Sequence, residues 1–365
     1  MAVIINERSK SGIVILGNGR IARAISCYLN KNRTADKITL LTNAGKEVKG
    51  CALIIGALAG SLGQDCLKLA LRYKKPLIDV SDLDAEFYLK RKTRIEKSGI
   101  TVIAGCGFSP GLVNLILGKE FSRYPDIREI EVKAGSLSPN KSFFPFLWCF
   151  EDLILEHQIP SRQIIKGKKK KLPPFAGFQK EKFFGIEAES YLCASGFENL
   201  LEKPKLKGFQ CRVVRPDGFM TFFNFLQNQG FLKKENLMLS KKILETRKED
   251  NFTLSEIVLL TKNKKIIWRL KSRSRKEEKL NSMQKITAVV PALIAKMLLD
   301  NEIKPSGLVF MEDLGRDKLI FDSVLSGLRK EGIAIVRNQT SNIKIYNKNQ
   351  DEKYFRIILN FSLYF

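Results

Sequence analysis

SGIVILGNGRIARAISCYLN, from Ser11 to Asn30, joins three signals in a row. The apolar run Ile13-Val14-Ile15-Leu16 has the length of a buried strand, Gly17-Asn18-Gly19 forces a tight turn, and Ile21-Ala22-Arg23-Ala24-Ile25 takes up helical spacing. The expected unit is strand, glycine turn, helix. Such a turn needs glycine at Gly17 for its backbone dihedrals and at Gly19 so that only backbone meets a pyrophosphate, whose charge then sits on the N–H groups opening the helix. Ala22 holds the third position, which must be small because the helix packs on the strand there. Gly17, Asn18, Gly19, Arg20 and Ile21 are therefore the expected cofactor-binding residues, with an inert structural turn as the alternative.

Composition bounds the rest. A chain of 365 residues has room for two domains and a sizeable core. No apolar run reaches the roughly 18 residues that span a bilayer, and MAVIINERSK at the start lacks the apolar core of a secretory signal. A cytoplasmic protein without a membrane partner is expected. Cys27, Cys51, Cys66, Cys106, Cys149, Cys193 and Cys211 are scattered without a C-x-x-C pair, which fits neither a disulfide framework nor a zinc cluster. With one histidine, His157, no His-rich metal site can form, and no metal is expected.

The formal net charge of +25 raises nucleic acid as a partner. The densest tracts, KGKKKK (Lys166 to Lys171) and KSRSRK (Lys271 to Lys276), carry no interleaved aromatics and read as solvated loops. Specific nucleic-acid binding is not expected, although such a field attracts anionic cofactors and substrates.

Beyond the first helix, Lys37 to Thr42 reads as a second strand, with Asn43 where an adenosine ribose is usually met. No acid stands there to favour NAD; Asn43 and Lys46 could receive the 2′-phosphate of NADP, or Asn43-Ala44-Gly45 is only a turn. Cys51 to Leu58 is another buried strand, ending at Ala57 and Leu58, small enough for a passing cofactor. Between Asn43 and Cys51 there is no room for the helix and strand of an ordinary doubly wound half. The strand Ile100 to Ala104 runs into Gly105-Cys106-Gly107-Phe108-Ser109-Pro110-Gly111-Leu112, which breaks every regular pattern at the carboxyl end where open α/β sheets bind ligands.

GITVIAGCGFSPGLVNLILGKE, then WCFEDLILEHQIPSRQIIKGK (Trp148 to Lys168), IEAESYLCASGFENLL, VVRPDGF (Val213 to Phe219) and ITAVVPALIAKMLLDNEIKPSGLVFMEDLG (Ile286 to Gly315) follow one another in an order that resembles the saccharopine dehydrogenase-like oxidoreductases, including the reductase and lysine 6-dehydrogenase types. The resemblance covers about residues 11 to 335. It implies an α/β architecture: a Rossmann-type parallel sheet, shortened by one helix and one strand, with an inserted α+β substrate and dimerisation domain. The implied boundaries are 1–114 for the dinucleotide domain, 115–284 for the insertion and 285–337 for helices returning to the first domain; 338–365, beyond the resemblance, is a tail, either an extra strand or a disordered end. Alternation in Phe252 to Leu260 and Ile266 to Lys271 supports strands in the insertion, and Thr287 to Leu299 has helical spacing, with Pro291 marking a kink or a late start.

The resemblance further implies a hydride moved between a nicotinamide, NADP or NAD, and a carbon bearing nitrogen in an amino acid or polyamine-like substrate, by a homodimer. Ser109 stands where fungal saccharopine reductases have an aspartate, and Phe219 where a histidine is common, so saccharopine itself is in doubt. Cys106 is expected beside the cofactor. Gly107, Phe108, Ser109, Trp148 and Arg215 are expected at the substrate, Arg215 as a bidentate carboxylate clamp or a plain surface residue. His157 and Glu151 are the candidates for acid and base, His157 being otherwise a helix-end residue and Glu151 a solvated first-turn acid. Two other readings stand beside the enzyme: a homologue that kept the fold and lost turnover, and a basic nucleic-acid-binding protein.

Overall fold

The computed structural model describes residues 12–341 except 43–46, 82, 142, 194–195, 198–199, 201–205 and 247. The chain forms two units, the described parts of Met1–Lys119 with Gln284–Glu331 and of Glu120–Met283 with Gly332–Phe365. The first opens with β1 (Gly12–Leu16), α1 (Arg20–Lys31), β2 (Lys37–Leu41), α2 (Glu47–Gly50), β3 (Leu53–Gly56), α3 (Gly63–Tyr73), β4 (Leu77–Asp79), α4 (Ala85–Leu89), α5 (Lys92–Ser98), β5 (Thr101–Ala104) and α6 (Leu112–Arg123). The apolar runs of β1 and β3 are buried almost throughout, as strands covered on both faces must be.

The second unit is built from β6 (Glu129–Leu137), α7 (Phe150–Glu156), β7 (Ser161–Ile165), β8 (Lys168–Leu172), β9 (Gln179–Phe183), β10 (Ile186–Leu192), β11 (Gly208–Pro216), α8 (Phe219–Asn228), α9 (Leu237–Thr246), β12 (Asn251–Leu260) and β13 (Lys264–Ser274). The chain then returns to the first unit through α10 (Ser282–Leu299), β14 (Gly307–Phe310), α11 (Met311–Arg316) and α12 (Lys318–Lys330), and ends its described part in β15 (Ala334–Ser341) of the second.

In the first unit the described strands form a parallel sheet in the order β14-β5-β4-β3-β1-β2. One short helical turn, α2, carries the chain from β2 to β3 on the other side of β1, and β2 is the last described strand at that edge. The doubly wound half is thus shortened as expected, its missing helix reduced to a single turn. At the opposite edge β14 pairs with β5, so the returning segment brings a strand as well as helices.

The second unit holds a mixed sheet in the order β15-β13-β12-β6-β11-β10-β9, with β7 paired to β11 and β8 to β7. Strict alternation along β13 buries Ile266, Trp268 and Leu270 and exposes Arg269, Lys271 and Arg273, the period-2 pattern of a sheet with one face inward. Its hairpin with β12 turns at Thr261, whose hydroxyl accepts from the backbone N–H groups of Asn263 and Lys264.

Several boundaries differ from expectation. The first unit runs to Lys119 rather than 114, and β15 begins inside the segment assigned to helices and continues through Asn338 to Ser341, where a tail was expected. Ladder pairing to β13 explains this, since an alternating stretch beside an open sheet edge gains a full set of backbone hydrogen bonds. α10 is the described helix long and apolar enough to cross a membrane by length and composition, in spite of the broken apolar run, but 61% of it is buried within the protein, as in a core helix. It runs from Ser282 with Pro291 inside it, so the helix starts early rather than late.

Candidate functional site

The carboxyl end of β1 is shaped by backbone. Gly17 has φ +131°, and a Cβ there would collide with the Ala57 carbonyl, so glycine is the residue that fits. Its N–H donates to the Leu41 carbonyl at 2.7 Å, and the Ala57 N–H to the Leu16 carbonyl at 2.8 Å, which locks the turn between β2 and β3. Gly19 differs. It is the N-cap of α1 in extended conformation, a Cβ on it would meet nothing within 4 Å, and no side-chain hydrogen bond caps the helix. The first turn of α1 carries no acid. Asn18 folds back to accept from Arg23 Nε through its carbonyl and its side chain, both at 3.0 Å, and the Arg20 carbonyl accepts from Gln284. Ala22 is fully buried where α1 meets the sheet. An open, uncapped N-terminus of a twelve-residue helix beyond a glycine turn fits the pyrophosphate of a dinucleotide. Asn43 and Lys46, the expected ribose contacts, lie outside the described residues.

Ala57 and Leu58 are half-buried just past β3. Beside them, Asp79 ends β4 fully buried, accepting from Ser81 Oγ at 2.6 Å and from the Tyr88 hydroxyl, with Oδ1 unpartnered. Burial pushes its carboxyl up to about 6. Cys106 is fully buried, its N–H bonded to the Asp79 carbonyl, and burial pushes its thiol well above the ordinary range, so it stays protonated. Gly107 and Phe108 are buried and Ser109 is half-buried in a loop pinned by Gly111, whose N–H donates to Asn114.

In the second unit Trp148, His157 and Arg215 come together. The Arg215 guanidinium is buried, lies 5.1 Å from the Trp148 ring centroid and 5.7 Å from that of Phe219, and pairs with Glu156 Oε2 at 2.7 Å. Its Nε has no partner. Glu156 Oε1 also accepts from the Cys193 thiol at 3.3 Å. His157, at the C-terminus of α7, is 3% exposed. Its Nδ1 faces the Leu153 carbonyl at 2.6 Å and its Nε2 the Tyr191 hydroxyl at 2.6 Å. A carbonyl only accepts, so Nδ1 bears the hydrogen and Nε2 accepts from Tyr191. Burial, and then the Arg215 charge, push the imidazole down to about 3.

These facts correct the acid–base assignment. His157 is neutral at ordinary pH with both ring nitrogens engaged: it caps the end of α7, but it is buried, neither a surface residue nor a base open to a substrate. Glu151 stands apart in a half-exposed pair with Lys241 at 2.9 Å. Burial raises its carboxyl, but hydrogen bonds from Lys241, its own backbone and the Cys149 thiol, with the lysine's charge, together outweigh that and hold it below the ordinary range. Glu189, like Asp79 and Tyr191, is not among the candidates drawn from the sequence. It lies opposite Arg215 in the β10–β11 ladder, accepts from the Gly218 N–H at 3.0 Å and from the Met220 N–H, and so caps α8. Burial keeps its carboxyl above the ordinary range against those bonds. Glu189 and Tyr191 occupy alternate positions of IEAESYL, a spacing that puts both on one face of a strand and could have flagged them.

The Saccharopine dehydrogenase C-terminal domain family model matches residues 107–333. Among solved structures, the apo saccharopine dehydrogenase (L-Glu forming) of Saccharomyces cerevisiae superposes with a TM-score of 0.68 at 16% identity, over 91% of this chain and 100% of that one. The DAP dehydrogenase of C. glutamicum in complex with DAP gives a TM-score of 0.41 at 10% identity, over 87% of this chain and 98% of its own. The structural likeness speaks for the fold, and the family match spans well over half of the chain: it belongs to the saccharopine dehydrogenase-like family.

Proposed function

We propose that the protein is an NAD(P)-dependent oxidoreductase acting on a C–N bond of an amino acid or polyamine-like substrate. The observation that carries this reading is the open Gly19 position at the uncapped N-terminus of α1, a seat for a pyrophosphate with no other evident purpose in a helix that could have been capped. A bound nicotinamide would supply the hydride chemistry. The chain's own share is to bind and orient: Gly17 sets the turn, the α1 N–H groups hold the phosphates, and Ala57 and Leu58 leave space beside them. Arg215, balanced by Glu156 and flanked by Trp148, is the cation offered to a substrate carboxylate, with its unpartnered Nε–H among the donors it has left. NADP is favoured over NAD because Asn43, rather than an acid, stands at the ribose position just after β2.

A second reading has its own support. His157 is walled in and Glu151 is tied to Lys241, so neither candidate acid or base is free to move a proton, which suits a homologue that binds a dinucleotide without turnover. Titration with NADPH and NADH by nicotinamide fluorescence tests the binding. Oxidation of either by keto acids or aldehydes paired with amines tests turnover. Binding without turnover favours the second reading, and absence of both removes both readings.

A further inference from the structure

The α8–α9 hairpin of the second unit turns apolar side chains both ways. Inward, Phe219, Phe223 and Leu226 of α8 are buried, and Leu237 and Leu244 of α9 pack on the aromatic cluster that includes Phe150. Outward, Phe225 is 55% exposed, Phe231 42%, Met238 72%, Leu239 62% and Ile243 58%. Phe225 and Phe231 stack at 6.4 Å, and the Phe231 carbonyl accepts from Ser240 at 2.7 Å, which fastens the connecting turn to the helix that carries Met238 and Leu239. Scattered exposed apolar residues need no explanation, but five on one short hairpin do.

The same segment carries exposed Lys233, Lys234 and Lys242, with exposed Lys248 just past α9 and Glu235 its exposed acid. We propose that this hairpin is a peripheral docking surface for an anionic lipid bilayer. Apolar tips entering the acyl boundary, with lysine stems reaching back to the headgroups, are the arrangement by which helices lie on such a surface. The charge favours a bilayer over a second copy: a two-fold contact would press one net-positive face against another, whereas an anionic surface neutralises it. The overall charge of +25 acts in the same direction, drawing the protein to an anionic plane. A surface-lying hairpin needs no spanning length, so the proposal does not call on α10, which is mostly buried.

Co-sedimentation of the full chain with vesicles of phosphatidylcholine alone, or mixed with phosphatidylserine, tests the proposal. Binding is expected to the mixed vesicles, weakening as salt is added. Met238→Glu and Ile243→Glu should each lower it about tenfold, and Lys233→Ala, Lys234→Ala and Lys242→Ala about fivefold apiece. All five positions are exposed, and an unchanged melting curve for each variant separates lost docking from lost fold. Three results overturn the proposal: no binding to mixed vesicles, equal binding to both vesicle types, or a concentration-dependent doubling of mass abolished by Met238→Glu, which would give the face to a second copy.

Discussion

Glu156 and Arg215, 59 residues apart in the chain, meet at 2.7 Å with the arginine side chain 3% exposed and the glutamate 21%. A pair this enclosed does little net stabilising while intact, because both ions were desolvated to form it. Breaking it is different. Glu156→Ala leaves a buried guanidinium with no counter-charge, and the expected loss is about 3 kcal/mol, the lower end for a buried pair because the glutamate keeps some contact with water. Both tryptophans, Trp148 and Trp268, belong to the second unit, so their fluorescence during urea unfolding reads the loss there. A change under about 0.5 kcal/mol, the ordinary size for a surface substitution, would show the pair to be solvated.

His157 makes the stability of that unit depend on acid. The imidazole is held at about 3 in the fold, against an ordinary value near 6.5, so between these values the unfolded chain binds a proton that the folded one does not. Its contribution is complete above pH 6.5 and is lost as pH falls, by about 1.4 kcal/mol per unit, toward pH 3. His157→Gln should flatten this limb of the tryptophan-monitored stability curve. Parallel curves for the two proteins would mean that the ring is not held neutral by its burial.

The local parts of this architecture were legible in the chain because they are set by neighbours a few residues apart. The glycine turn, the alternation of β12 and β13, and the want of room between β2 and β3 are all of that kind. The surroundings of His157 are not. Its hydroxyl partner Tyr191 lies 34 residues away, and Arg215, which also lowers its pKa, comes from β11. A helix-end histidine followed by Gln158 and Pro160 looks solvent-facing until α8 and β10 are packed around it. β14 and the start of β15 at Ala334 were hidden for the same reason, since a short strand declares itself only through the edge it joins.

Asp79 should give the opposite pH dependence, in the first unit. Its carboxyl is raised to about 6 from an ordinary 3.8, so the folded state holds the proton more tightly than the unfolded one. Stability from this group is fully present below pH 3.8 and is lost as pH rises through about 6. Asp79→Asn, which can still accept from Ser81 and Tyr88, removes the penalty and should stabilise the first unit at neutral pH by up to about 3 kcal/mol. Pulsed thiol labelling of Cys66 and Cys106, both buried in that unit, follows its unfolding separately from the tryptophan signal. Destabilisation at pH 8 would mean that the ionised carboxylate is better satisfied than its unpartnered Oδ1 indicates.

Gly17 and Gly19 are two residues apart and should fail in different ways. At Gly17 a methyl group meets the Ala57 carbonyl with φ at +131°, so Gly17→Ala strains the fold by at least about 1–3 kcal/mol from the backbone alone. At Gly19, φ is −75° and ψ −175°, angles any residue adopts, and the space beyond is open. Aspartate is a favoured N-cap, its carboxylate accepting from the first-turn N–H groups and sitting at the positive end of the helix. Gly19→Asp should therefore raise the stability of the first unit by a few tenths to about 1 kcal/mol. The same carboxylate occupies the seat meant for a pyrophosphate and repels it, so NADPH and NADH affinity should fall by at least a hundredfold, about 2.8 kcal/mol. Calorimetry for stability, paired with nicotinamide fluorescence for affinity, reads both effects on one variant. Greater stability with lost binding is the expected pair. Greater stability with unchanged binding would move the cofactor away from α1 and leave Gly19 as an uncapped helix end with no ligand to explain it.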